Sequence, residues 1–505
     1  MNYIEKHIVS IDLGTSKIAV TVAQIEGNDV QIISYKESPS AGLRYSSVFN
    51  VTQVAEALKK AIANAEEELG IKISHAVVGA PKYSIRTEQA RQTITDRGEN
   101  CDITTEDIEE LKSFALSTYP YIDGDNEAIF GAVAQSFSDG ENFQIIENDI
   151  IGMTSNTLEG NFKIFIGKKN DLKKIDLAME RAGISSAQKF FTADTTAKAV
   201  LHESEMENGV ALIDIGAGST SVSIYEGNVM RHYASIPFGG KNITDDIRNE
   251  AEITERLAEN IKLAFGACMP DKLLSLSDKV LHIRSANGEG DKTLTVKYLS
   301  EIITARVEEL IMAILYEIEN SGFADQLRSG IVLTGGTAQL LNINNCVHEI
   351  SGYKVRTGYP KQLFSCGGCT GLSETSAATS IGLIQAARFG VNCAILQEEE
   401  EVISPEAPAI IVEGEEETTE AKNETPAVET PEQPTAETGK EEEVNNDGTL
   451  GLKFEEVKPK QVTATVRRGE SKEPKKKKMI WWEPIRDLFS EAEKKITQEL
   501  NDENV

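Results

Sequence analysis

Five hundred and five residues, 40% of them hydrophobic, can bury two to four domain-sized cores, which excludes a small stapled scaffold and a wholly disordered chain. A formal charge of −30 argues against a phosphate-neutralising surface spread over the molecule, so no nucleic-acid partner is expected. The excess is local: residues 397–447 hold 18 acidic side chains against Lys422 and Lys440, so this stretch carries −16 and the rest of the chain −14.

The N-terminus (MNYIEKHIVSIDLG) runs straight into an apolar strand with no basic-led apolar leader, and six cysteines in a chain this long point to a reducing compartment. The first strand opens a motif, IVSIDLGTSKIAV from Ile8 to Val20, that ends in a Glu-Gly-Asn turn at 26–28. About 200 residues later LIDIGAGSTSVSI, from Leu212 to Ile224, ends in the same turn at 226–228. Both read as strand, Asp-Gly hairpin with a hydroxyl residue, and strand, which predicts two related domains facing each other. Residues 310–316 form the longest apolar helical candidate, which is short, flanked by Glu and far below the 18 or so residues a membrane span needs. A third glycine turn, Thr334-Gly335-Gly336-Thr337, follows another apolar strand.

Glycine lets backbone approach phosphate closely, and hairpin hydroxyls and N–H groups can donate to phosphate oxygens. Asp12 and Asp214 would repel a triphosphate unless a hydrated Mg²⁺ lies between them. One Asp-Gly hairpin is an ordinary β-turn; two in register, with TGGT, point to a nucleotide site. No GxxxxGK[ST] is present, and Ser221 stands where a dinucleotide fingerprint needs its last glycine, so P-loop and Rossmann chemistry do not fit. Cys366 and Cys369 form a lone CxxC in a small-residue turn, and the histidines make no HExxH, so zinc and metalloprotease chemistry have no support.

Beyond residue 395 the composition changes. Residues 396–474 are rich in Glu, Pro and Thr with almost no aromatics and read as a disordered linker. In the final segment, 475–505, Ile485, Leu488, Phe489, Ala492, Ile496 and Leu500 recur at steps of three and four after Pro484 and form one apolar stripe. Such a stripe can dock on protein. A membrane surface is favoured by Lys475 to Lys478, each worth about 1 kcal/mol near anionic lipid, and by Trp481 and Trp482, which prefer the interfacial layer.

The three glycine turns resemble the phosphate-1, phosphate-2 and adenosine motifs of the actin, DnaK-chaperone and sugar-kinase superfamily, and within it the chain is similar to the FtsA family. Stretches carrying that likeness are SAGLRYSSVFN (40–50), AEALKKAIANAEEELG (55–70), residues 209–247, ERLAENIKLAFGA (255–267) and IVLTGGTAQL (331–340). The resemblance implies an α/β, actin-like ATPase fold, two duplicated ribonuclease-H-like halves around a nucleotide cleft, with an inserted α/β subdomain 1C. The implied division is 1–82 with 168–202 (IA), 83–167 (1C), 203–240 with 321–395 (IIA) and 241–320 (IIB).

Carried over by position, Gly14, Thr15 and Lys17 would meet the phosphates of ATP from one side and Gly216, Gly218, Ser219 and Thr220 from the other, with Asp12 and Asp214 holding Mg²⁺ through water. Glu259 and Lys262 would cover ribose and adenine, with Gly335 and Gly336 opposite. Hydrolysing relatives place Gln or Glu on the link between the halves; here that link offers only Asp194, so at most weak hydrolysis is expected. The family implies anchoring of FtsZ filaments at the cytoplasmic face of the cell membrane at the septum, self-association into filaments and contacts with other divisome proteins. Lys292 and Arg306 would receive the FtsZ C-terminal peptide, and Trp481, Trp482, Ile485, Leu488, Phe489 and Ile496 would enter the membrane. The alternatives are a small-molecule kinase, for which no general-base Asp can be placed, and a pilus-assembly adaptor, which gives no reason for the terminal helix.

Overall fold

The two repeats fold as matching hairpins. Lys6–Leu13 pairs antiparallel with Lys17–Glu26, setting Asp12 opposite Ala19, and Val210–Ile215 pairs antiparallel with Thr220–Glu226, setting Asp214 opposite Ser221. The computed structural model describes residues 6–27, 29–95, 101–119, 123–283, 292–388 and 393–396. The linker and terminal segment, with Trp481, Trp482, Ile485, Leu488, Phe489 and Ile496, lie outside the described residues.

Each hairpin seeds a sheet of the same topology. In the first, Asp29–Pro39 extends the hairpin antiparallel on one side, while His75–Gly79 and then Ser185–Phe190 add parallel strands on the other. In the second, Val229–Ile236 is the antiparallel extension, and Gly330–Thr334 and Val355–Thr357 are the parallel additions. Both therefore have the strand order 3-2-1-4-5, and the first gains a two-residue edge strand, Ser365–Cys366. This repetition is the duplicated α/β architecture that the paired sequence motifs predict.

Central strands with apolar runs buried on both faces need cover on both faces. For the first sheet, Val9, Ile11 and Val20 pack against Val54, Leu58, Ala61 and Ala65 of the helix Val51–Leu69 and Ile175, Ala178 and Met179 of Lys169–Ala182. The Val51–Leu69 helix starts where Asn50 Oδ1 accepts the N–H groups of Thr52 and Gln53 and stops at Gly70 (φ 63°), a left-handed cap. For the second sheet, Ile213, Ile215 and Val222 pack against Ile303, Val307, Leu310 and Ile314 of the long helix Val296–Asn320. The inner faces share two helices, Thr192–Val200 and Ala378–Ala387: Ala197 and Val200 meet Leu212 and Val332, while Ile381 and Ile384 meet Ile8 and Ile32. This pair joins the halves and forms the back of the space between the hairpins.

A separate three-stranded antiparallel sheet, in the order Arg86–Ile94, Leu158–Lys168, Glu127–Ser138, is threaded between two parallel strands of the first sheet. Ile108, Leu111 and Ala115 of the helix Thr105–Ser117 close its own core with Phe137, Phe162 and Ile164. Among the described residues no helix is long and apolar enough to cross a membrane. The six cysteines are free thiols, and no group of three or more His, Cys, Asp or Glu among the described residues is arranged to hold a metal.

Candidate nucleotide cleft

The hairpin tips meet across the gap between the sheets. A Cβ on Gly218 would fall 2.7 Å from Thr15 Oγ1, so the second tip can lie this close to the first only as glycine. Ser46 braces both tips: its N–H donates to Thr15 Oγ1 (3.1 Å), and its Oγ lies 3.2 Å from Ser219 Oγ. Behind the tips opens a cavity of about 420 Å³, in the size range of small-molecule sites. Its lining includes Asp12, Gly14, Thr15 and Lys17 from the first half and Asp214, Gly216, Ser219, Glu259, Lys262, Gly335 and Gly336 from the second.

Lys262 is buried in the helix Glu255–Phe265 and donates to Glu259 Oε2 (2.8 Å), Thr244 Oγ1 (2.9 Å) and the carbonyl of Gly240 (3.0 Å). It thus ties its own helix to the start of Gly240–Ala251 and forms the cavity's side wall. Gly335 has φ 88° and ψ 168°, a backbone conformation essentially restricted to glycine, and a Cβ there would fall 2.5 Å from Asp214 Oδ1. Gly336 faces open space.

Three lining residues escaped the sequence reading and change the site's electrostatics. Lys82, on the segment leaving His75–Gly79, donates to Asp214 Oδ2 (2.6 Å) and Thr379 Oγ1 (3.0 Å). Glu37 on Asp29–Pro39 is ion-paired with Lys17, which also donates to Ser376 Oγ (3.0 Å). Glu374 is the third. Lys82 follows a parallel strand at its carboxyl end, where open α/β sheets place ligand-contacting residues, and that rule was the available signal.

The cavity is therefore lined by five carboxylates (Asp12, Glu37, Asp214, Glu259, Glu374) and three ammonium groups (Lys17, Lys82, Lys262), each ammonium already paired with a carboxylate. Burial pushes the Asp12 carboxyl above its usual range against the pull of Lys82, and Asp214 adds to the push. Burial alone would lower the Lys82 ammonium, but Asp214 and Asp12 together overcome it and hold the group above the ordinary lysine range.

Asp194 and Thr220 lie outside the cleft. Asp194 is in the first turn of Thr192–Val200, but it ion-pairs with Lys198 (2.8 Å) and accepts from the Tyr225 hydroxyl (3.4 Å). Two residues along a helix is a rotation of about 200°, so the side chain that reaches the cavity is Thr192. Thr220 is fully buried and donates to the carbonyl of Phe238 (2.8 Å), outside the lining. Arg306 and Lys292, expected at a peptide site apart from the cleft, are not in its lining. Arg306 makes a two-pronged pair with Asp246 (2.6 and 2.9 Å) and a third bond to Glu309 (2.6 Å), while Lys292 pairs with Glu252 (2.7 Å).

Comparison with known proteins bears on this geometry. A family model described as cell division protein FtsA matches residues 211–382, which carry the second hairpin, the Glu259–Lys262 wall and the Gly335–Gly336 turn. The cell division protein FtsA of Neisseria meningitidis is 30% identical over 390 residues, 76% of this chain and 90% of that protein. The chain belongs to the FtsA family of cell division proteins. The FtsA of Pseudomonas aeruginosa is 28% identical over 386 residues, 75% of this chain and 88% of its own. Among solved structures, one of a PilM–PilN type IV pilus biogenesis complex superposes with a TM-score of 0.54 at 13% identity, over 75% of this chain and 98% of that one, a likeness of fold.

Proposed function

We propose that this FtsA-family protein binds Mg-ATP between its two sheets, self-associates into filaments, and links FtsZ filaments to the cytoplasmic face of the membrane at the division septum, with other divisome proteins as further partners. The observation that carries the nucleotide reading is the meeting of two Asp-Gly hairpins, one from each sheet, at a cavity whose other walls are Glu259–Lys262 and Gly335–Gly336. The donor set fits a divalent cation: with every lining ammonium paired and carboxylates in excess, a bare triphosphate meets repulsion. Asp12 and Asp214 would hold Mg²⁺, which when bound neutralises phosphate charge. Lys17 and the hairpin hydroxyls and N–H groups then orient the phosphate chain, while Glu259 and Lys262 bound the nucleoside end.

Turnover is slow in this reading, because the link helix offers Thr192 where a water-positioning Gln or Glu would stand. The nucleotide acts as a switch or filament cofactor. The domain division that goes with it assigns 83–167 to subdomain 1C and 241–320, with Lys292 and Arg306, to the FtsZ-binding subdomain. The basic, Trp-containing and apolar-striped segment 475–505 is the membrane anchor. Isothermal titration of the purified full chain with ATP in Mg²⁺ tests the central claim, and absence of heat at millimolar ATP overturns it.

A further inference from the structure

Asp214 is buried and closely confined. Oδ1 lies against the Gly335 turn, where even a Cβ would come within 2.5 Å, and Oδ2 accepts from Lys82 at 2.6 Å. Lys82 has little freedom to drift. Its ammonium is also fixed by Thr379 Oγ1 (3.0 Å), and its carbonyl accepts from the hydroxyl of Tyr233, which packs edge-on to Phe191 and Phe165. Lys82 is thus an internal cation, paired with Asp214 in the cavity that Asp12 also lines. One carboxylate oxygen cannot serve an ammonium at 2.6 Å and a cation's hydration shell equally well.

We propose that Lys82 is a positioning residue that competes with the divalent cation for Asp214: it holds the Asp12–Asp214 pair together and yields Asp214 only when a dication takes over the neutralisation. The inference rests on the reading of this cleft as a metal-nucleotide site. It assigns the cleft an internal counterion and makes metal entry an exchange of one cation for another. Lys82→Met leaves the carboxylates of Asp12 and Asp214 lining one cavity without that cation, a repulsion that a dication relieves. Lys82→Arg keeps the charge and the pairing.

The test is thermal unfolding of the full-length protein, Lys82→Met and Lys82→Arg across a MgCl₂ series without nucleotide. A parallel titration with ATP is run in Mg²⁺ and in EDTA. Lys82→Met is expected to melt below wild type in EDTA and to be rescued by Mg²⁺ with a midpoint at least roughly ten-fold lower than wild type. That is the order expected from removing a unit positive charge a few ångströms from a dication even at water-like dielectric. Lys82→Arg should follow wild type.

A Lys82→Met protein whose melting and Mg²⁺ response match wild type, or whose loss of stability Mg²⁺ does not repair, overturns the proposal. If Lys82→Met does not fold, Lys82→Met combined with Asp214→Asn should, because the repulsion has been removed; failure of the double variant as well would show that Lys82 serves packing alone. The ATP arm separates the two readings. Wild type that binds no Mg-ATP defeats the nucleotide assignment, while the Mg²⁺ shifts alone decide the role of Lys82.

Discussion

The two adjacent glycines at the cleft separate a backbone requirement from a ligand requirement. Replacing Gly335 with Ala asks an L-residue to hold φ 88°, ψ 168°, at a cost of about 1–3 kcal/mol. It also places a methyl 2.5 Å from Asp214 Oδ1 and from the carbonyl of Ile215, where relief by shifting neighbours costs a further ~1–3 kcal/mol. A total of about 3 kcal/mol corresponds to a melting point lower by roughly 3–5 °C when the whole folded body unfolds together. Gly336→Asp meets nothing within 4 Å, so its melting point without ligand should stay within about 2 °C of wild type. Its carboxylate, however, joins a lining already in carboxylate excess. A unit charge roughly 5 Å from a phosphate costs about 3 kcal/mol at an effective dielectric near 20, a hundred-fold or greater loss of ATP affinity. Wild type held at 100 times its dissociation constant should gain about 2.7 kcal/mol of apparent stability, which Gly336→Asp should lack. Differential scanning fluorimetry with and without Mg-ATP reads both effects. Unchanged melting of Gly335→Ala would refute the confinement of Asp214, and wild-type affinity in Gly336→Asp would refute the cleft assignment.

Since Asp246 already holds two of the Arg306 N–H groups, Asp246→Asn should tighten binding of a labelled FtsZ C-terminal peptide several-fold and Arg306→Glu should weaken it, both read by fluorescence anisotropy with ATP affinity unchanged. Opposite or absent shifts would move the peptide site off this face. Steady-state ATP hydrolysis should run well below the enzyme median of roughly 10 per second, and a faster rate would show that a lining residue other than Thr192 positions the water. Glu127, paired with Arg86 across the inserted sheet, has its carboxyl lowered from 4.5 to about 2 mainly by that hydrogen-bonded pair. A depressed acid stabilises the fold above its unfolded value, so this contribution, within about 1 kcal/mol for a partly exposed pair, should fade as pH falls from 4.5 towards 2. Glu127→Gln should flatten that part of the acid-denaturation curve. Leu488→Glu with Phe489→Glu should release the protein from anionic vesicles in co-sedimentation, with raised salt weakening wild type only partially because apolar burial survives screening. Co-sedimentation equal to wild type would assign the stripe to a protein surface.

Legibility in the sequence followed the range of the interaction concerned. The hairpins were legible because strand alternation and an Asp-Gly turn are local, and their recurrence after about 200 residues foretold two sheets of one topology. Glu259 and Lys262 were legible as a pair because three residues on a helix share a face, and the structure gives that pair at 2.8 Å. Asp194 is on the expected segment, but which way its side chain turns depends on helical phase: Thr192, two residues earlier, has the face towards the cleft. Thr220 misled for the parallel reason that alternate residues of a strand point to opposite sides, and its hydroxyl serves the carbonyl of Phe238.

What stayed hidden was the charge state of the cleft, which is a property of the assembled fold. Lys82 and Asp214 are 132 residues apart, and Lys17 and Glu37 are 20 apart on separate strands, so no window of sequence displays either pair. Read one motif at a time, Lys17 is a free cation waiting for phosphate and Asp214 a free carboxylate waiting for metal. Folded, each already has a partner, so ligand binding here is an exchange of ion pairs. In an exchange, the net gain is the difference between the new pairing and the old. That difference is small for a bare anion, which must release lysines from carboxylates that then stand exposed in the same cavity, and large for an anion that arrives with its own dication.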